Sequence, residues 1–149
     1  MTSTTAVVPN RSVRRSLRAP VAGGVIVGDL QAVSPLAFPW LDSATVYAHG
    51  LAEIAANYIG FAVADGRRYV LAVETAVASA FVVVAAVAVT GTPWLIVAGL
   101  AGHGVKDMWQ HRTGFVAGTR WWPPFCATVD WVAAALIAVA LFSGLPLSA

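Results

Sequence analysis

The chain has 149 residues, 58% of them hydrophobic and only 11% charged, with a formal net charge of +2 and a mean hydropathy of +0.75. Soluble domains carry about 25% charged residues, so there are too few here to cover a water-facing surface, and lipid must solvate much of the chain. Four of the nine basic residues (Arg11, Arg14, Arg15, Arg18) sit near the start, and no basic face interleaved with aromatics remains, which argues against a nucleic-acid partner.

Residues 1–20 are rich in Ser, Thr and Arg and hold no acid. They read as a disordered basic tail that touches anionic lipid headgroups, with a targeting presequence as the alternative. Residues 21–38 are apolar but interrupted: Gly23, Gly24 and Gly28 loosen a helix, Asp29 and Gln31 are costly in lipid, and Pro35 breaks the run. An interfacial or re-entrant segment is the expectation, with an extra crossing as the alternative.

Pro39 and Trp40 then predict the start of a membrane helix that runs to about Ala64 and stops at Asp65-Gly66-Arg67-Arg68. A second helix is predicted from about Tyr69 to Thr90, and Gly91-Thr92-Pro93 leaves room only for a tight antiparallel turn. A third runs from Pro93 to about His111. After a loop with Arg120, Trp121 and Trp122, Pro123-Pro124 opens a fourth that ends near Ser143.

Residues 93–115 repeat residues 39–61 at a constant offset of 54. Identical pairs are Pro39/Pro93, Trp40/Trp94, Leu41/Leu95, Ala44/Ala98, His49/His103, Gly50/Gly104, Gly60/Gly114 and Phe61/Phe115. Glu53 matches Asp107 and Asn57 matches His111; Val73-Glu74 matches Val129-Asp130 at an offset of 56. The expected fold is therefore an all-α integral membrane protein, a four-helix transmembrane bundle of two tandem helical hairpins, residues 39–92 and 93–149. The two would be related by a pseudo-two-fold axis along the membrane normal. The loops at 65–68 and 112–123 carry cations and are expected to face the cytoplasm. Four crossings would leave the arginines of the tail on the opposite side, whereas a fifth crossing would return them. The Ala/Val/Gly-rich composition suggests a bacterial inner membrane, and a homo-oligomer is an open expectation.

His49, Glu53 and Asn57 are spaced four apart, as are His103, Asp107 and His111, so each triplet shares a helix face. Glu74 and Asp130 enter at similar depth from the neighbouring helices. An ionisable side chain costs about 2.5–3.5 kcal/mol at a helix centre, and six at related positions ask for one explanation. A divalent metal (Zn, Fe or Mn) held by His49, Glu53, Glu74, His103, Asp107 and Asp130 is the leading reading. Its composition is like that of dinuclear carboxylate bundles, although the His–acid spacing is one residue longer.

Metal-free acid–base chemistry centred on His103, Asp107 and His111 is the second reading. Asn57 and Trp109 would then contact a lipid-like or amine ligand. Proton or ion passage and purely structural polar packing remain as further readings. Lys106 and Gln110 fall on a different stripe and are expected to reach for the interface. Trp109, Trp121, Trp122 and Trp131 are expected in an aromatic belt. Cys126, the only cysteine, reads as a packed hydrophobe. No phosphate loop, nucleophile elbow or paired-cysteine motif is present.

Overall fold

The computed structural model of the chain describes residues 11–38, 40–145 and 147. These form α1 (Arg11–Val33), α2 (Ser43–Asp65), α3 (Arg68–Thr90), α4 (Trp94–Thr113) and α5 (Trp122–Phe142), with a single 3-10 turn at Pro35–Ala37. Among the described residues there is no strand. Five α-helices are present among the described residues rather than the expected four. Residues 1–10 of the expected tail, and Pro39, lie outside the described residues.

The added helix, α1, covers stretches expected to be tail and interfacial segment. Its glycines explain why. Pro20, Gly24, Gly28 and Ala32 recur every four residues and are all buried, so they form one narrow stripe of small residues. A Cβ at Gly24 would lie 2.7 Å from the Phe125 carbonyl oxygen, and one at Gly28 would lie 2.9 Å from the Val129 carbonyl oxygen. The missing side chains let α1 lie directly on the backbone of α5, the close approach that Gly-x-x-x-Gly spacing permits between membrane helices. Asp29, read as costly in lipid, is exposed and lies off the stripe that meets α5.

The other boundaries follow local chemistry. The Asp42 carboxylate accepts from the Ala44 N–H at 3.2 Å and caps α2, which begins at Ser43 and not at Pro39. Gly66 closes that helix with φ 79°, a left-handed conformation suited to glycine. Pro123 and Pro124 fall in the first turn of α5, where a missing N–H breaks no helical bond.

In space α1 packs on α5, α5 on α4, α4 on α3 and α2, and α2 on α3. The interior of α2 is set by its bulkiest apolar residues: Tyr47, Leu51 and Tyr58 are fully buried, with Ala44, Ala48, Ala55 and Ala62 between them. In α4 the apolar anchors are Ile96 and Leu100. At an offset of 54 these correspond to Asp42 and Val46, while Tyr47, Leu51 and Tyr58 correspond to Ala101, Val105 and Arg112. The anchors thus sit at non-equivalent positions, and the two helices turn different faces inward.

Leu17–Ala37, Arg68–Thr90 and Trp122–Phe142 are long and apolar enough to cross a membrane. On α3 the exposed residues include Val73, Val82, Val83, Val87 and Val89, a surface suited to hydrocarbon. The α2–α3 and α4–α5 loops meet at one end. The Asp65 carboxylate accepts from the Ala117 N–H at 2.7 Å and from Arg67 at 2.5 and 2.6 Å, and Arg67 donates to the Phe115 carbonyl at 2.7 Å. A 640 Å³ cavity beside this clasp is lined by Leu17, Gln110, His111, Arg120 and Trp121 among others, so the start of α1 lies at the same end. The turns at the opposite end, residues 34–42, 91–93 and 143–145, contain no Lys or Arg.

Two outcomes are expected. Gly28→Ile should cost about 1–3 kcal/mol in reversible denaturation, because the added atoms meet backbone, whereas Gly60→Ala should change little, since a Cβ there meets nothing within 4 Å. Hydrogen bonding from Arg67, then from the Ala117 amide, holds the Asp65 carboxyl below its ordinary 3.8. A depressed folded-state value means the clasp contributes at every pH above 3.8 and is lost as pH falls below it. Amide exchange at Ala117 should therefore remain protected above that pH, and Asp65→Ala should abolish the protection at all pH values.

Candidate metal centre

The middle position of α4 decides what its polar residues face. His103, Lys106, Asp107 and Gln110 follow the i, i+3, i+4, i+7 pattern of a single helix face, and that face points into the bundle. His103 and Asp107 are 0% exposed, as is Asp130 across from them on α5. His103 Nδ1 lies 2.8 Å from Asp130 Oδ2 and 3.6 Å from Asp107 Oδ2. One ligand-capable atom from each of the three residues falls within 4.8 Å of the others.

The small residue after His103 helps close the helices here. A Cβ at Gly104 would collide with the Trp131 indole, which lies against α4 and donates its N–H to the Ala101 carbonyl at 3.3 Å. Trp131 therefore lies over the α4–α5 seam, still 43% exposed, and apart from the other three tryptophans. Trp109, Trp121 and Trp122 do gather at the basic end, with Phe115 and Phe125.

A second polar pair adjoins the cluster. Lys106 Nζ lies 2.9 Å from Glu74 Oε2, and Gln110 donates to Glu74 Oε1. The ammonium also sits 3.1 Å from the centroid of the Tyr58 ring, a cation–π contact from α2. Tyr58 and Phe81 then wall His103, with ring centroids 5.9 and 5.0 Å away. Lys106 and Gln110 were expected at the interface; the structure instead buries Gln110 and leaves the Lys106 side chain 13% exposed. Their i+3 relation to His103 and Asp107 was the sequence signal for this.

Of the residues expected at the site, the structure brings together His103, Asp107 and Asp130, and Glu74 joins them through Lys106. His49, Glu53 and Asn57 lie on the exposed face of α2, opposite Tyr47, Leu51 and Tyr58. The six-residue metal set is thereby reduced, because the α2 members project away from the interior. His111 is half-buried and lines the cavity at the basic end, and Trp109 is exposed beside Phe115. Tyr58 is the contribution α2 actually makes. Cys126 is buried among the α5 packing residues and is unpaired.

Hydrogen bonding leaves the cluster unsatisfied. Among the described residues, His103 Nε2, both Asp107 carboxylate oxygens and Asp130 Oδ1 are buried and have no hydrogen-bond partner. Buried polar atoms are normally paired, and each one left alone carries a desolvation penalty of about 1–3 kcal/mol. The interior thus gathers three carboxyl groups (Glu74, Asp107, Asp130), the Lys106 amine and the His103 imidazole.

No protein-family model, curated protein or solved structure matches the chain.

The Glu74–Lys106 pair makes a separable prediction. Lys106→Met leaves Glu74 as a buried carboxylate without its cation and should cost about 3–5 kcal/mol in reversible denaturation. Adding Glu74→Gln to that variant should recover a large part of the loss, and additive effects would show that the two side chains act independently.

Proposed function

We propose that this is a membrane protein that binds a single divalent metal ion inside its helix bundle, through His103, Asp107 and Asp130. The observation that carries the reading is the buried cluster of one imidazole and two carboxylates whose ligand atoms lie within 4.8 Å of one another, with both Asp107 oxygens and Asp130 Oδ1 unpartnered; an ion there would replace the His103 Nδ1–Asp130 Oδ2 hydrogen bond. Ligand atoms bonded to one ion at about 2.0–2.2 Å sit roughly 2.8–3.6 Å apart, and the His103 Nδ1 separations of 2.8 and 3.6 Å span that range. One imidazole with carboxylate oxygens suits Zn, Fe or Mn.

The placement of the ligands shapes the role. Two come from α4 and one from α5, so an ion held here fastens those helices at mid-height. The three ligands are fully buried, and three protein ligands leave a coordination position of the ion that the described side chains do not fill. With His49 and Glu53 turned outward, the reading is mononuclear. The arginines at one end of the bundle support a cytoplasmic placement of the α2–α3 and α4–α5 loops.

A second reading draws on the chain of contacts from His103 past Lys106 to Glu74 and Gln110, which reaches the cavity at the basic end. Such a row of titratable groups suits proton movement without a metal.

Elemental analysis distinguishes the two. Full-length protein purified in detergent without chelator should carry about one divalent ion per chain, and Asp130→Asn should weaken binding by about tenfold or more. His49→Ala should leave the metal content unchanged. Traces of metal that do not respond to Asp130→Asn would overturn the metal reading and favour the proton path.

A further inference from the structure

The exposed face of α2 is the wrong chemistry for lipid. Thr45, His49, Glu53, Ala56, Asn57, Gly60 and Ala64 are all exposed and fall on one side of the helix, opposite its buried aromatic anchors. α2 packs along α3, a helix apolar enough to cross a membrane and joined to it by a two-residue turn. α2 by itself falls short of that apolarity, and it is its packing against α3 that carries it through the same slab. Glu53 lies ten residues into a helix of 23, near the middle of that slab. An imidazole, a carboxylate and a carboxamide facing hydrocarbon at this depth are each expensive, and none of the three is buried by the described residues.

We infer that this face of α2 is the interface with a second copy of the chain, the two α2 helices running parallel about a two-fold axis along the membrane normal. The occupant follows from the chemistry of the stripe. A two-fold along the membrane normal sets each residue level with its own mate, and His49, a donor one turn from the acceptor Glu53, then reaches diagonally to Glu53 of the other copy, twice by symmetry. That surface is self-complementary, as an isologous interface requires. Asn57 comes opposite its own symmetry mate one turn further on, where carboxamide pairs join membrane helices.

Closeness is provided by the small residues. Ala56, Gly60 and Ala64 recur every four residues, and the space around Gly60 is open. This is the small-xxx-small spacing that lets two membrane helices touch along their backbones. The same spacing in α1 is already occupied by α5, so α2 presents the comparable surface that is still free among the described residues.

Oxidative cross-linking of full-length protein in native membranes tests the assignment. Ala56→Cys and Gly60→Cys should each yield a disulfide-linked species of twice the monomer mass, while Val83→Cys, on the outward face of α3, should remain monomeric. In detergent, Glu53→Gln should raise the dimer dissociation constant by about tenfold. The exchange His49→Glu with Glu53→His should restore it, since the pair is merely transposed. A monomer that gives no cross-link at either α2 position would overturn the inference, as would equal cross-linking at Val83→Cys. Capture of a different protein at Gly60→Cys would also overturn it.

Discussion

The Lys106 ammonium lies under the Tyr58 ring and against the Glu74 carboxylate, in the interior of a bundle that exposes many large apolar side chains. A charge in that position is tolerated only where its partner is already in place, because removing either member strands the other in a medium that solvates it poorly. The helices arrange themselves around this constraint. α3 supplies the carboxylate, α2 supplies the aromatic face, and the rotation of α4 that satisfies both also carries His103 and Asp107 inward. Asp130 on α5 then meets His103, so these polar contacts tie four helices together.

The same rotation accounts for the different fates of two nearly identical segments. The identity of His49 with His103 and of Gly50 with Gly104 was plain in the sequence, and it suggested equivalent roles. A helix, however, turns inward the face that buries the most apolar surface. In α2 that face carries Tyr47, Leu51 and Tyr58, and its histidine is left outside. In α4 the corresponding positions hold Ala101, Val105 and Arg112, so the helix buries a different face. Equal residues at equal positions need equal neighbours before they do equal work.

Much else was legible. The spans of α3, α4 and α5 followed from hydropathy, prolines and glycines, and four of the interior polar residues (Glu74, His103, Asp107, Asp130) were identified from position alone. Two misreadings had physical causes. A strict four-residue spacing links His103 to Asp107 and His111 but omits the i+3 neighbours, so Lys106 and Gln110 were assigned to the surface although they complete the buried face. The glycines of α1 were read by their backbone freedom. Their effect in place is steric: without a Cβ at Gly24 and Gly28 the helix fits against the carbonyls of α5, a relation between segments a hundred residues apart that no local window displays.

That last contact bears on how the bundle comes together. α1 and α5 are the first and last of the five helices, and their packing closes the longest loop in the molecule. Contacts of such separation form late, because the entropy of closing the loop must be met before the contact returns anything. Neighbouring hairpins can zip as they are made, but α1 must wait until α5 has emerged. During that interval its groove of small residues is an uncovered adhesive strip. The window between synthesis of the first helix and arrival of the last is therefore when this chain is most exposed to wrong partners, and the length of the chain between them sets how long the window stays open.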